Sequence, residues 1–582
     1  MTDRTKSHRL IENANELPKV AEALKNVVAI GFDTETTGLN PRDGRMRLLQ
    51  LATPDETFVI DTFEAEDLSP LAEVLADGPV KVLHNAKFDY QFLFAEHGIR
   101  LQPIFDTMLA SQLLDGGEQG ASYALNAVAK RYLDEEVDKS VRRENWAGEL
   151  SERQIQYAAR DAEILLPLRE RLADALAGEG LKLVSRIEFG AVGPLSEMEL
   201  AGIKLDIERW NDLAATVRIR RDAAAERLES HFPPPDGVLP LEGLGPSLNI
   251  NSPQQIIEAF RSIGVDLSDT RNWTLLDVDH PAARDLLEYR ELQKKLGTYL
   301  ETYANYIHPK TGRIHANFFQ CRVPTGRLAC NNPNVQQIPH EDEFRRCFVA
   351  EQGNTLVIAD YSQIELRILA EVSEDPGFLE AFQNGEDLHR VTAATMFGIK
   401  KEEVTKDQRS AAKSINFGLA YGRGPKSLSI QLGTSEGRAR ELIDEFFASY
   451  SKVHQYLQGT ANRALKEGEL RTLAGRLRKF GNTSSLASAE RGGLRREAMN
   501  FPIQGASADI AKLALYYIRQ DLEDLDARLI NSIHDEFVVE CAAGLAEEVS
   551  ERVQGAMVNA GKKLLKKVPV EVEVVVSREW RK

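Results

Sequence analysis

Apolar and polar positions divide the 582-residue chain into two stretches of different rhythm. Up to about residue 185, short apolar runs of strand length alternate with helical spacing. Val27–Phe32 is one such run, Arg47–Ala52 and Thr57–Asp61 flank a Pro-Asp turn and read as a hairpin, and Val80–Leu83 is another strand. Helical spacing follows over Lys87–Glu96, Asp106–Leu114 and Glu152–Leu172. This alternation predicts an α/β domain. From about Ile187 the spacing becomes long and helical, broken by the Pro- and Gly-rich segment His231–Ser247, which reads as a loop. Strand signals return at Leu356–Ala359 and Leu529–Glu540, and no segment repeats.

The length exceeds what one hydrophobic core supports, so about two to four domains are expected. No stretch approaches the roughly 20 consecutive apolar residues that span a bilayer, and the opening MTDRTKSHRL lacks the apolar core of a secretory signal. Cys321, Cys330, Cys347 and Cys541 form no CxxC pair and read as reduced thiols. The net charge of −17 runs against a nucleic-acid binder. The sign reverses locally, where Lys466, Arg471, Arg476, Arg478, Lys479, Arg491, Arg495 and Arg496 outnumber the acids. That run is either a solvated face or a surface for phosphates.

Candidate chemistry begins at AIGFDTETTGLNP. Asp33 and Glu35 stand at positions i and i+2 of a strand and face one spot at its end. Asp89 follows another strand, in HNAKFDY, and Asp161 lies on a helix with Tyr157 one turn earlier on the same face. Four hard oxygen ligands suit Mg²⁺, with Mn²⁺ as a substitute. Two such ions clamp the attacking and leaving oxygens of a phosphodiester, and Tyr157 is placed to orient the water. Taken singly, an Asp-x-Glu at a strand end is a strand meeting solvent.

A second set of acids lies far along the chain. NTLVIADYSQIELRILA puts Asp360 at the end of an apolar strand; INSIHDEFVVE reads as a hairpin with His534 and Asp535 at its tip and Glu536 beginning the return. If these strands are neighbours, the aspartates form a two-metal site; otherwise His534 and Asp535 are a polar turn. Between them, Arg409, Lys413, Phe417 and Tyr421 recur every four residues and form one helical stripe, cationic at one end and aromatic at the other. A triphosphate can lie along the cations with its base near the rings; the alternative is a core-facing amphipathic helix.

The order Asp-x-Glu, Asn-x-x-x-Asp, Tyr-x-x-x-Asp resembles the DEDD exonucleases of the tyrosine subtype, found in proofreading domains and ribonuclease D. DYSQIELR, RSAAKSINFGLAYG and HDE resemble motifs A, B and C of the family A DNA polymerases. TGRLACNNPNVQQIP, GEDLHRVTA and AMNFPIQGASADI are similar to further segments of that family. The resemblance implies that Asp33, Glu35, Asp89 and Asp161 hold two metals that remove nucleotides from a 3′ end. It implies that Asp360 and Asp535 hold two more, with Glu536 an auxiliary carboxylate. Arg409 and Lys413 would hold the triphosphate, with Lys413 the acid for the leaving pyrophosphate. Phe417 and Tyr421 would shape the base-pair pocket, Glu365 would block a ribose 2′-OH, and Gln363 and His389 would join the nucleotide site. Arg327, Gln337, Arg496, Asn500, Gln504 and His534 would touch primer–template DNA, largely through minor-groove acceptors common to all base pairs. Ala329 and Cys330 stand where many members carry serines, and Gln337 where asparagine is common.

The expectation is therefore α/β and α+β multidomain: a ribonuclease-H-like exonuclease domain (1–185), then a right-hand polymerase (186–582). Within the latter, 206–310 are expected as thumb, 311–372 and 481–582 as palm, and 373–480 as fingers. The expected activity is DNA synthesis from deoxynucleoside triphosphates with 3′→5′ proofreading, with two Mg²⁺ per site. The chain is expected to act as a monomer in the cytoplasm with the nucleoid, or in host cytoplasm if viral. About 25 residues precede the exonuclease pattern, so no 5′-flap cleavage is expected. A nuclease with a silent polymerase half, and a non-catalytic binding protein, are the rivals that these carboxylates argue against.

Overall fold

The computed structural model describes residues 7–118, 120–137, 141, 144–232, 248–420, 422–483 and 486–581. Its N-terminal sheet has six strands in the order β1-β4-β3-β2-β5-β6. These are β1 Ser7–Ile11, β2 Ala29–Thr36, β3 Met46–Ala52, β4 Glu56–Asp61, β5 Val80–Leu83 and β6 Ile104–Asp106. β2, β3 and β4 are antiparallel neighbours, whereas β1, β5 and β6 pair in parallel. Alternation along β3 and β4 sorts the core. Leu49, Leu51, Phe58 and Ile60 pack with the helices Leu17–Lys25 and Ala86–His97; Leu48 and Val59 pack against Ile155, Ala158 and Ala159 of the helix Glu152–Glu163.

Gly31 decides how closely that last helix approaches. A Cβ at Gly31 would lie 2.0 Å from the carbonyl oxygen of Ala162, so only glycine lets the helix backbone reach β2. Gly31, Asp33 and Glu35 share one face of the strand. The expected single helix Glu152–Leu172 is two helices, Glu152–Glu163 and Leu165–Gly178. Pro167 explains the break, since it has no N–H to offer the carbonyl of Glu163.

A second sheet orders the strands Ala527–Ile533, Glu536–Ala542, Asn354–Tyr361 and Val572–Ser577. Beside it lies the 34-residue helix Ser488–Asp521. Contacts divide the chain into two compact units: Met1–Ala201 with Asn317–Asn331 and Val357–Val576, and Gly202–Ala316 with Asn332–Leu356 and Ser577–Lys582. The expected boundary after residue 185 falls inside the helix Lys182–Ala201. In the second unit, fully buried Trp210 donates from Nε1 to the carbonyl of Leu300 at 3.1 Å and packs against the rings of Tyr303, Phe344 and Phe348. Residues 233–247 of the expected loop His231–Ser247 lie outside the described residues.

The basic run around 466–496 is not a continuous free face. Arg476 is buried: it donates from Nε to Asp509 at 2.9 Å and from its terminal nitrogen to Asp509 at 2.6 Å and to Glu188. Lys512 donates to Glu188 at 2.5 Å and to the carbonyl of Gln320 at 2.8 Å. Arg478 pairs with Glu497 at 2.8 Å and reaches the carbonyl of Gly117 at 2.6 Å, Lys479 reaches that of Leu114 at 3.0 Å, and Arg471 that of Glu179 at 2.7 Å. These cations join elements to one another, whereas Lys466, Arg491 and Arg496 are exposed.

Exchange of Arg476 for an apolar side chain of similar length leaves Glu188 and Asp509 sharing one cation in a dry site. Arg476→Met should therefore cost about 3–5 kcal/mol of stability. The check is the denaturant midpoint of unfolding; a midpoint equal to the parent's would mean that the cluster holds nothing together.

Candidate active sites

β2 presents Asp33 and Glu35 on the Gly31 face, and the closely packed helix delivers Asp161 to the same place. Ligand atoms of the three carboxylates lie within 4.8 Å of one another. Among the described residues no other group of three or more His, Cys, Asp or Glu side chains gathers in this way. Asp89 stands apart from that tight set: buried on the helix Ala86–His97, it accepts Thr34 Oγ1 at 2.6 Å. Its helix starts after Asn85, at φ 65°, and the Asp106 carboxylate accepts the Ala86 N–H at 2.8 Å. Asp106, expected inside the next helix, instead caps it by accepting the N–H of Met108 at 2.8 Å.

Burial, and then the charges of Asp89, Asp161 and Glu35, push the pKa of Asp33 well above the carboxylate range. Burial pushes Asp89 up to about 7, against the Thr34 hydrogen bond that favours its anion. Three carboxylates this close fit a divalent cation, whose charge would offset their mutual repulsion. Tyr157, one turn before Asp161, has its pKa raised by burial and by Asp161, to which it is hydrogen-bonded. Its hydroxyl therefore stays a proton donor.

The second sheet makes neighbours of acids distant in sequence. The N–H of Tyr361 donates to the carbonyl of Asp535 at 3.2 Å, which sets Asp360 beside the hairpin tip. Ile533 pairs with Glu536, leaving His534 and Asp535 as a two-residue turn. His534 has φ 56°, the positive value that tight hairpin turns require. Asp360 and Asp535 are half-exposed, whereas Glu536 is buried. A cavity at this tip is lined by Arg327, Glu365, Ser507, Ala508, His534 and Asp535. Buried Glu365, on the helix Ile364–Ser373, forms an ion pair with Arg327 across it. Gln363, just before that helix, is held at φ 54°.

The helix Lys406–Ala420 has two faces. Ala412, Ile415, Asn416 and Leu419 are buried, while Arg409 and Phe417 are half-exposed and Lys413 exposed. The helix is thus amphipathic, with the Arg409–Lys413–Phe417 stripe on the side away from its buried face. Arg409 Nε donates to Asp387 at 2.5 Å, and Asp387 also accepts the His389 N–H at 3.0 Å as the cap of the helix Leu388–Phe397. Asn416 and Nδ1 of buried His389 are 2.9 Å apart, and the His389 and Phe417 ring centroids are 5.6 Å apart. Burial first, then Arg409 and Lys413, lower the His389 pKa to about 4 despite the opposing pull of Asp387. Tyr421 lies outside the described residues.

Arg496, Asn500 and Gln504 line one stripe of the helix Ser488–Asp521, leading to Ala508 at the cavity. Gln337 is exposed and belongs to the second compact unit. Sequence reasoning missed Asp387 and Asp106, although an Asp before a helical run is the usual capping signal. It also missed the Arg327–Glu365 pair, for which no local signal exists. No helix among the described residues is long and apolar enough to cross a membrane, and the four cysteines form no disulfide.

Residues 8–177 match the family described as 3′-5′ exonuclease, and residues 241–582 match DNA polymerase family A. DNA polymerase I of Aquifex aeolicus is 36% identical over 97% of this chain and 98% of its own length. DNA polymerase I of Chloroflexus aurantiacus is 33% identical over 98% of this chain, which spans 63% of that protein. A solved structure of the POL domain of Pol1 from M. smegmatis, in complex with DNA primer-template and dNTP, superposes with a TM-score of 0.83 at 30% identity, covering 98% of this chain and 99% of that one. With both families matched, the chain belongs to DNA polymerase family A and is a DNA-directed DNA polymerase with a 3′–5′ exonuclease domain.

Proposed function

We propose that the chain extends a DNA primer at the Asp360–Asp535 site and removes 3′ nucleotides at the Asp33–Glu35–Asp161 site. The observation that carries this is the hairpin tip: strands remote in sequence bring Asp360 and Asp535 together beside a cavity. Asp360 and Asp535 hold divalent cations, with Glu536 in support; Asp33, Glu35, Asp89 and Asp161 hold them at the other site. Mg²⁺, or Mn²⁺ in its place, neutralises developing charge and aligns the displacement at each site.

The remaining roles belong to this chain's side chains. Arg409 and Lys413 hold the triphosphate, and Lys413 hands a proton to the departing pyrophosphate. Phe417 lies beside the sugar, with Tyr421, Gln363 and His389 completing the nucleotide site. Glu365, kept in place by Arg327, stands under the sugar and excludes a 2′-OH. Arg327, Arg496, Asn500, Gln504 and His534 follow the primer end, and Gln337 meets DNA from the second unit. At the other site Tyr157 orients the attacking water. We assign 1–185 to excision, 206–310 to the thumb, 311–372 and 481–582 to the palm and 373–480 to the fingers. Primer–template DNA and deoxynucleoside triphosphates are the ligands, and the protein acts as a monomer in the cytoplasm, at the nucleoid. The primer-template and dNTP bound to the M. smegmatis domain support the choice of ligands, and the bacterial relatives the cytoplasmic setting.

The two activities should separate. Asp535→Ala removes charge stabilisation worth several kcal/mol, so primer extension should fall by about a thousandfold or more while single-strand digestion persists. The pair Asp33→Ala and Glu35→Ala should do the reverse. Substantial extension by Asp535→Ala would displace the polymerase site from the hairpin tip. Glu365→Ala should raise ribonucleotide relative to deoxynucleotide incorporation, and an unchanged competition ratio would remove Glu365 from the sugar.

Phe417 gives a sharper test. A dideoxynucleotide lacks the 3′-OH that can hydrogen-bond to its own phosphate, and a phenyl ring supplies no replacement donor. Such a bond to a charged group is worth roughly 1.5–3 kcal/mol, or about tenfold or more in selectivity. Phe417→Tyr should largely abolish discrimination against chain terminators while sparing normal extension. The ratio is measured with Asp33→Ala and Glu35→Ala present, so that excision cannot mask insertion; no change on adding the hydroxyl would place the ring away from the sugar.

A further inference from the structure

Glu199, in the last turn of the helix Lys182–Ala201, is nearly fully buried and lies outside both sites. Its Oε1 accepts Lys87 Nζ at 2.5 Å and the Phe318 N–H at 2.6 Å, and its Oε2 accepts Gln91 Nε2 at 2.6 Å. Its carbonyl accepts the Arg42 guanidinium at 2.5 Å, where the helix C-terminus favours a cation. Lys87 Nζ also donates to Asn317 Oδ1 at 2.6 Å and to the carbonyl of Phe318.

These partners belong to three elements with distinct duties. Lys87 and Gln91 flank Asp89 on the helix Ala86–His97. Arg42 sits in the loop that leaves β2 just after Asp33 and Glu35. That loop is closed by Thr37 N–H to the Arg45 carbonyl at 2.9 Å and braced by Arg42 N–H to Asn40 Oδ1 at 3.1 Å. Asn317 and Phe318 open a segment whose strands Asn317–Phe319 and Ala329–Asn331 pair antiparallel, with Arg327 on the connection between them.

We propose that Glu199 is a positioning residue for excision, fixing the Asp89 helix and the loop after Glu35 in register with each other. The inference rests on the exonuclease site proposed above. A carboxylate suits the position: an ammonium and a backbone N–H, neither able to accept, both donate to its Oε1, and Gln91 donates to its Oε2. An amide at 199 removes the charge that Lys87 faces and turns its own N–H₂ toward Gln91, whose amide must flip to accept it. The resulting shift reaches Asp89 within a turn of helix, and misplacement by about 1 Å near a reacting centre costs on the order of a hundredfold.

The test uses the full chain with Glu199→Gln and, separately, Arg42→Ala. Single-strand excision is measured across Mg²⁺ concentrations, together with matched-primer extension, the unfolding midpoint and amide exchange without metal. For Glu199→Gln we expect excision kcat to fall about ten- to a hundredfold, the range of supporting residues behind metal ligands. KM for DNA should stay level, more Mg²⁺ should be needed for half-maximal excision, and extension should match the parent. Amide exchange should quicken at residues 37–45 and 86–97 but not in the hairpin Ala527–Ala542. Arg42→Ala should change excision in the same direction by less, and it decides the matter if Glu199→Gln fails to fold. Parent-like excision and Mg²⁺ dependence would overturn the proposal, as would parallel losses of excision and extension with a lowered midpoint. The Asp33→Ala, Glu35→Ala variant is the control: if it still excises, the exonuclease assignment fails; if it does not and Glu199→Gln behaves as the parent, only the role of Glu199 fails.

Discussion

Four charged side chains, Glu188, Arg476, Asp509 and Lys512, are buried together, and the arrangement of the first unit depends on them. Burying an ion pair is expensive unless every remaining hydrogen-bonding position is filled. Here Thr472 Oγ1 donates to Asp509 at 2.8 Å and Gln320 Nε2 to Glu188 at 2.8 Å, so the balance of two anions and two cations is met with supporting bonds. The four residues come from the helix Lys182–Ala201, the region of the strand Leu477–Lys479, and the helix Ser488–Asp521. Gln320 adds the segment Asn317–Asn331. With Asp509 and Lys512 fixed inward, rotation of the long helix about its axis is set. Arg496, Asn500 and Gln504 can then form a stripe leading to the cavity. The cluster also shapes the chain before Arg327: Gly326 has φ 76°, and a Cβ there would come within 2.5 Å of the Arg476 guanidinium.

What the sequence revealed follows from the range of each interaction. Asp33 with Glu35, Tyr157 with Asp161, and the Arg409–Lys413–Phe417 stripe depend on spacing along one strand or one helix, and each appears as read. The strands Val80–Leu83 and Glu536–Ala542 were legible because apolar runs are local. Two-residue pairings such as Ile203–Lys204 with Arg313–Ile314 carry no such run and left no mark. Arg476 was illegible for a different reason. Its charge resembles that of exposed Arg496, and only partners remote in sequence, Glu188 above all, make it a core residue. Asp89 falls between these cases: its position after a strand was readable, but its retreat behind Thr34 was not.

The same contrast resolves the conflict between an acidic chain and an anionic substrate. Net charge describes the field at a distance, where salt screens it within about 10 Å. Inside the fold, acids gather on β2 and its facing helix, and Asp360 stands beside Asp535 at the tip of the hairpin. Several cations of the basic run are taken up by carboxylates and backbone carbonyls, as Arg478 and Lys479 show. Lys413 and Arg496, by contrast, are exposed, each on a helix that carries further polar candidates. A count of charges could not have distinguished these two populations, because the difference lies in burial.

The acidic and basic groups of the proposed nucleotide site are held with different firmness, and the elements explain why. Asp360 and Asp535 sit at strand ends tied by a backbone hydrogen bond, with the hairpin turn closed by the positive φ of His534. Little remains to be ordered there, which is the condition for strong electrostatic stabilisation of developing charge. Arg409, by contrast, is held by one carboxylate, Asp387, with both side chains about a third exposed. An ion pair so open to water contributes little, about 0–1 kcal/mol. The buried contact of Asn416 with His389 and Thr392 fixes the helix itself, but not the outward cations it carries. The proposed site therefore draws on acids tied into the sheet and on cations whose guanidinium and ammonium groups retain freedom to follow a phosphate.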